Sequence, residues 1–185
     1  MIERSLFSPD HEAFRDSFRR FMEKEIAPFH ADWEEQGYVD REVWRKAGAN
    51  GFLCMTMPEE YGGAGAGKLY SVVQMEELSA GGFSGIGYGL HNEIVAPYIL
   101  RYGTEAQKKH YLPRFASGEM IGAIAMSEPG AGSDLQGVKS TAIKQADSSY
   151  VLNGSKTFIT NGCMPTWSSS SPKPTRRPAP KAPAW

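Results

Sequence analysis

The amino-acid sequence predicts an α+β protein, an N-terminal all-α domain followed by the first strands of an antiparallel β domain. Three observations carry that reading. Apolar side chains recur at helical spacing from Phe14 to Phe115. Beyond Gly118 the texture changes to short runs of β-formers separated by turn residues. From Cys163 it changes again, to serine and proline. The expected organisation is a helical domain over 1–119, a partial β domain over 120–162 and a low-complexity tail over 163–185.

Taken in order, Ser8 is a helix N-cap with Pro9 at the first helical position and Asp10 in the first turn. Phe14, Phe18, Phe21, Met22 and Ile26 then share a face before Pro28. A second helix starts near Asp40, carries Val43, Trp44 and Ala47, and ends between Gly48 and Gly51. Leu69 to Ser79 is the third, and Ile86 to Leu100 the fourth, with a late kink expected at Pro97. Thr104 and Gln107 form a capping box that opens a fifth helix bearing Tyr111, Leu112 and Phe115, closed by Gly118. Four strands are expected next: Ile121 to Met126, Thr141 to Gln145, Tyr150 to Asn153 and Lys156 to Thr160. The second and third form a hairpin.

At 185 residues, 41% of them hydrophobic, the chain can bury a core and fill one or two domains. A net charge of -1 and a pI near 6.4 give no support for nucleic acid as a partner. No apolar run is long enough to span a bilayer, and Met1 to Ser5 opens no signal peptide. Cys54 and Cys163 are the only cysteines, which argues against a disulfide scaffold or a cysteine metal site. The chain reads as soluble and cytoplasmic.

Several motifs carry little. Gly62 to Lys68 nearly spells a P-loop, but Leu69 replaces the magnesium-binding hydroxyl and no strand precedes it, so a flexible loop is the better reading. Of Glu76 and Glu77, one is expected in solvent and the other turned toward a pocket. His11, His30, His91 and His110 lack metal-ligand spacing; His91 stands out only for its apolar helix. The stretch from Ile121 to Gly137 is richer. An apolar run feeds into a turn built from Pro129, Gly130 and Gly132 and studded with Ser127, Glu128, Ser133 and Asp134. Such a turn leaves backbone N–H groups and hydroxyls free to face a polar or anionic ligand.

The residue order Ala125-Met-Ser-Glu-Pro-Gly-Ala-Gly-Ser-Asp-Leu-Gln-Gly137 resembles the first signature of the acyl-CoA dehydrogenases. Tyr150 to Gly162 resembles the second flavin-facing segment of that family, and Pro58 to Gly63 and Tyr102 to Gln107 match further landmarks. The resemblance covers residues 3–162, and Leu90 to Tyr98 with Ile121 to Met126 is most similar to the long-chain branch.

The resemblance implies a helical N-terminal domain, a β-barrel-like middle domain and a C-terminal helical domain that is missing here. It implies FAD, an acyl-CoA substrate, electron-transfer flavoprotein as redox partner and a homotetramer for the full-length enzyme. Ile124, Met126 and Ser127 would line the flavin, with the Ser127 hydroxyl bonding the ring. Gly132 and Ser133 would border the cofactor pyrophosphate and the acyl-CoA, so Ser133 also serves the substrate. Phe158 would cover the ring face and Thr160 would sit near its N5. No catalytic residue is assigned, because the family's glutamate base lies in the missing domain; Glu128 is read as structural. No metal is implied. The chain is therefore expected to be a fragment without turnover.

Six of the 12 prolines sit in the tail. It reads either as a disordered linker or, by preference, as a shifted reading frame. Read from the third base of each codon, Met164-Pro165 gives Ala, Trp167-Ser168 permits Val, and the serine run permits consecutive apolar residues. The shifted frame can thus encode Ala-Asp-Leu-Val-Ile-Val-Val-Ala-Lys-Thr-Asp, a buried strand. Two rivals stay open: a flavin monooxygenase or nitroalkane oxidase on the same scaffold, and a non-catalytic binding module whose proline-rich tail recruits partners.

Overall fold

Helix α1 (Pro9–Glu25) forms where the sequence places it, with the Ser8 N–H donating to His11 Nδ1 at 3.1 Å in the first turn. The computed structural model describes residues 5–163, so the tail expectation from Met164 onward lies outside the described residues. These residues divide into two units, 5–123 and 124–163.

The first unit is helical. After α1 come α2 (His30–Gln36), α3 (Arg41–Ala49), α4 (Lys68–Ala80), α5 (Tyr88–Leu90), a π-helical segment (His91–Val95), α6 (Ala96–Tyr102) and α7 (Glu105–Ala116). Helix α2 was not expected: it has only 7 residues, and only Trp33 of its side chains is buried, so it shows no apolar stripe. Residues 88–102 are helical without a break, as expected, but the distortion precedes Pro97 rather than sitting at it. The Ala96 N–H bonds the His91 carbonyl, five residues back instead of four. Proline offers no N–H and crowds the carbonyl four residues before it, and the wider π turn relieves that conflict.

The core has an aromatic end and a mixed centre. Phe18 and Phe21 of α1 pack on Phe52 with ring centroids 5.0 and 5.1 Å apart. Trp44 is fully buried, 4.7 Å from the Tyr88 ring and 5.3 Å from the His91 ring. Cys54, Met57, Tyr61, Ala96, Leu112 and Phe115 form a further buried cluster. Gly118, at φ +73°, lets α7 end against α3: a Cβ there would fall 2.2 Å from the Trp44 carbonyl oxygen. Thr104 and Gln107 make the expected capping box, the Gln107 N–H donating to Thr104 Oγ1 at 3.3 Å.

The second unit holds a tight turn, a short 3-10 segment (Leu135–Gly137) and one antiparallel hairpin. Strand β1 (Thr141–Lys144) pairs with β2 (Tyr150–Asn153) in the register Thr141↔Asn153 to Lys144↔Tyr150. The hairpin is the one expected. The other two expected strands do not form: residues 121–126 and 156–160 are irregular, with a bend at Phe158 and a turn at Thr160. A strand needs a continuous ladder of backbone partners, and among the described residues one backbone bond links this region to 156–160, from the Thr157 N–H to the carbonyl of Ser127, just past the first segment, at 3.0 Å. Ile121 and Gly122 are buried in the helical unit instead.

Candidate functional site

Glu128 and Ala131 close the glycine turn by exchanging backbone bonds, Glu128 N–H to Ala131 carbonyl at 2.8 Å and the reverse at 3.1 Å. The Glu128 carboxylate is buried beneath this turn and accepts from the Lys139 N–H at 2.7 Å and the Ser140 N–H at 2.9 Å. Lys156 lies 2.9 Å from its Oε1. Ser140, Lys139 and the Lys156 ammonium hold the Glu128 carboxyl down to about 2. The carboxylate is therefore ionised and fully engaged, as its structural reading expected.

Lys156 does a second thing. Its ammonium donates to the Met126 carbonyl at 2.9 Å, next to the bond from Thr157 to Ser127. One side chain thus joins two segments that lie 30 residues apart in sequence. Sequence reasoning missed this bridge, although a lysine and a glutamate, one in each segment, were a visible charge complement.

The expected ligand residues fall around this bridge. Ile124, Met126 and Ser127 are half-buried, and Gly132 and Ser133 are exposed in the turn. A Cβ at Gly130 or Gly132 would meet nothing within 4 Å, so the backbone is open to close approach. Phe158 is 94% exposed and held at φ +55°, in the left-handed region that costs a bulky residue about 1–3 kcal/mol. Thr160 is exposed beside Asn161, itself at φ +65°.

The remaining motifs of the helical unit resolve into structure. The N–H groups of Gly63, Ala64, Gly65 and Ala66 bond to carbonyls of Met55, Met57 and Pro58, so the glycine loop has spent its donors and cradles no phosphate. Glu77 is the buried one of the pair and lines a surface cavity, as expected, but there it is taken up by Arg15 at 2.8 Å and Arg19 at 2.9 Å, tying α4 to α1. Both guanidinium groups are pushed up by Glu77, and the two arginines hold the Glu77 carboxyl below its usual range against the cost of burial. Among the described residues no group of three or more His, Cys, Asp or Glu side chains could hold a metal ion. Nor is any helix there long and apolar enough to cross a membrane.

Residues 8–119 match the family profile of the acyl-CoA dehydrogenase N-terminal domain, and residues 123–178 that of the acyl-CoA dehydrogenase middle domain. The chain belongs to the acyl-CoA dehydrogenase family. It is 51% identical over 162 residues to the long-chain specific acyl-CoA dehydrogenase, mitochondrial, of Sus scrofa, covering 87% of this chain and 37% of that relative. An acyl-CoA dehydrogenase crystal structure from Geobacillus kaustophilus superposes with a TM-score of 0.83 at 51% identity, over 87% of this chain and 42% of that one. A second, from Bacillus anthracis in complex with FAD, gives a TM-score of 0.78 at 39% identity, over 86% of this chain and 28% of that one.

This acyl-CoA dehydrogenase chain thus spans well under half the length of the relatives it matches. The middle-domain match begins at 123, beside the division between the two units, and runs past Gly162 into the tail. The Sus scrofa relative is mitochondrial by name, so similarity does not carry the cytoplasmic expectation over.

Proposed function

We propose that this chain carries the flavin-facing residues of an FAD-dependent acyl-CoA dehydrogenase acting on long-chain acyl-CoA thioesters. The observation that supports it is the Lys156 bridge, which fastens the signature turn at Met126 and Glu128 to the segment bearing Phe158 and Thr160. The residues fit the group. A half-buried hydroxyl at Ser127, an unpartnered aromatic face at Phe158 and open backbone at Gly130 and Gly132 are what a planar, hydrogen-bonding ring with a diphosphate arm requires. When bound, FAD would accept the β-hydride of the thioester while a base removes the α-proton.

Each side chain then has a task. The Ser127 hydroxyl orients the ring edge, and Phe158 covers a ring face and keeps water from it. Ile124 and Met126 supply an apolar wall. Gly132 and Ser133 border the pyrophosphate, Ser133 also touching the acyl-CoA, and Thr160 lies near the reactive edge. Glu128 is no candidate for the α-proton base, since the N–H groups of Lys139 and Ser140 and the Lys156 ammonium engage both of its oxygens and the carboxyl is held down to about 2. In this reading the base is not among residues 5–163, and these residues alone do not turn over. Electron-transfer flavoprotein as acceptor and a homotetramer as assembly belong to the same proposal.

The test is a titration of the purified chain with FAD, followed by flavin fluorescence, beside a palmitoyl-CoA-dependent dye-reduction assay. Binding that weakens about tenfold in Phe158→Ala and Ser127→Ala, with no dye reduction, is the expected result. Absence of FAD binding overturns the flavin assignment, and dye reduction overturns the absence of a base.

A further inference from the structure

Among the buried titratable side chains of the helical unit for which the flavin reading has no task, His91 has both ring nitrogens engaged. His91 is 0% exposed and opens the π segment. Its Nε2 lies 3.1 Å from the Phe115 carbonyl, which can only accept, so Nε2 carries the proton. Its Nδ1 lies 2.9 Å from the Gly122 N–H, which can only donate, so Nδ1 presents its lone pair. The neutral Nε2–H tautomer is the one state that satisfies both neighbours. A second proton would set Nδ1–H against the Gly122 N–H.

The surroundings favour that state. The Trp44 and Phe115 rings stand 5.3 and 4.9 Å from the imidazole. The Cys54 thiol, its Sγ 3.7 Å from Nε2, is pushed up to about 12 by burial. Burial likewise pushes the His91 imidazole down to about 4.

Gly122 supplies an independent observation. A Cβ there would fall 2.8 Å from Val95 Cγ1 and 3.0 Å from Val95 Cβ. The backbone reaches the ring only because this position is glycine. The π turn serves the same end: it buries His91 and Asn92 side by side, and Asn92 in turn holds the Cys54 N–H at 2.9 Å.

We propose that His91 is a positioning residue, its neutral imidazole fastening the backbone at Gly122, where the chain leaves the helical unit just ahead of Ile124. The role rests on the reading of Ile124 to Ser127 as flavin-facing; the fastening itself does not.

Amide exchange of the 15N-labelled chain, read by NMR, tests the fastening. His91→Phe keeps a ring against Trp44 and removes both bonds, and it should speed exchange at Gly122 by about tenfold while Val73 and Leu112 hold. His91→Gln, which has a donor and an acceptor, should restore most of the protection. Exchange at Gly122 that rises only as it does at Val73 and Leu112, or not at all, overturns the proposal. If His91→Phe does not fold, the 15N shifts of the wild-type ring decide: an Nδ1–H tautomer overturns the proposal and Nε2–H supports it.

FAD titration supplies the second arm, with a loss of about tenfold in affinity expected in His91→Phe. Unchanged affinity removes the positioning role and leaves the flavin reading standing. A wild-type chain that binds no FAD removes the flavin reading, and exchange at Gly122 still decides the fastening.

Discussion

Acid should weaken the helical unit through His91, and the size of the effect follows from its burial. The imidazole has its pKa pushed from 6.5 to about 4 by desolvation, partly opposed by the bond to Phe115. Each unit of displacement corresponds to about 1.4 kcal/mol, so the group carries about 3 kcal/mol of pH-linked stability. The sign is that of a base with a lowered folded pKa. Above pH 6.5 both states are neutral and the stability is complete. Between 6.5 and 4 the unfolded chain takes up a proton that the folded chain refuses, and stability falls; below 4 the loss is finished. Between pH 7 and 5 the expected loss is about 2 kcal/mol. Urea unfolding followed by far-UV circular dichroism reports on this unit, which contains all the α-helices among the described residues. His91→Gln removes the titration while other acid-sensitive groups remain, so its pH 7-to-5 loss should be smaller by about 2 kcal/mol. Equal losses in the wild type and the variant would refute the reasoning.

Three further outcomes are expected. Gly118→Ala should cost about 2–4 kcal/mol, because its Cβ meets the Trp44 carbonyl at 2.2 Å, whereas Gly51→Ala, at φ +72° with open space, should cost only about 1 kcal/mol; urea midpoints compare them. Glu77→Gln leaves Arg15, 13% exposed, with Glu12 at 2.9 Å and Glu76 at 3.2 Å as its remaining carboxylates and should destabilise the helical unit by about 1–2 kcal/mol in the same assay. Glu128→Gln should speed amide exchange at Lys139 and Ser140, whose N–H groups it accepts. In the wild type the protection from this lowered carboxyl should be complete above pH 4.5 and fade as pH falls toward 2; protection constant through that window would count against the clamp.

Much of the fold was legible because its signals are local. Ser8, Pro9, Thr104 and Gln107 mark helix starts by chemistry that acts within one turn. The stripes Phe14–Phe18–Phe21 and Val43–Trp44–Ala47 mark buried faces by spacing alone. The hairpin from Thr141 to Asn153 was legible for the same reason: its two strands are joined by a turn whose Asp147 and Ser149 bond one another. The short α2 escaped because one buried Trp33 makes no stripe. The strands expected at 121–126 and 156–160 misled because β-formers state a preference, while a ladder needs a second chain segment in register.

The candidate site divides along the same line. The order of residues from Ala125 to Gly137 and from Tyr150 to Gly162 was enough to name the family and to point at Ser127, Gly132 and Phe158. Only the tertiary structure decided that Lys156 reaches back 30 residues to Met126, that Glu128 is locked beneath the turn, and that Phe158 is held in left-handed backbone. It also decided that His91, one of four histidines with no distinguishing spacing, is buried with Nε2 facing the Phe115 carbonyl and Nδ1 facing the Gly122 N–H. Propensity, capping and periodicity act between near neighbours and are written in the sequence. Desolvation, tautomer and charge pairing depend on which distant groups the fold brings within 3 Å, and they exist only once it has formed.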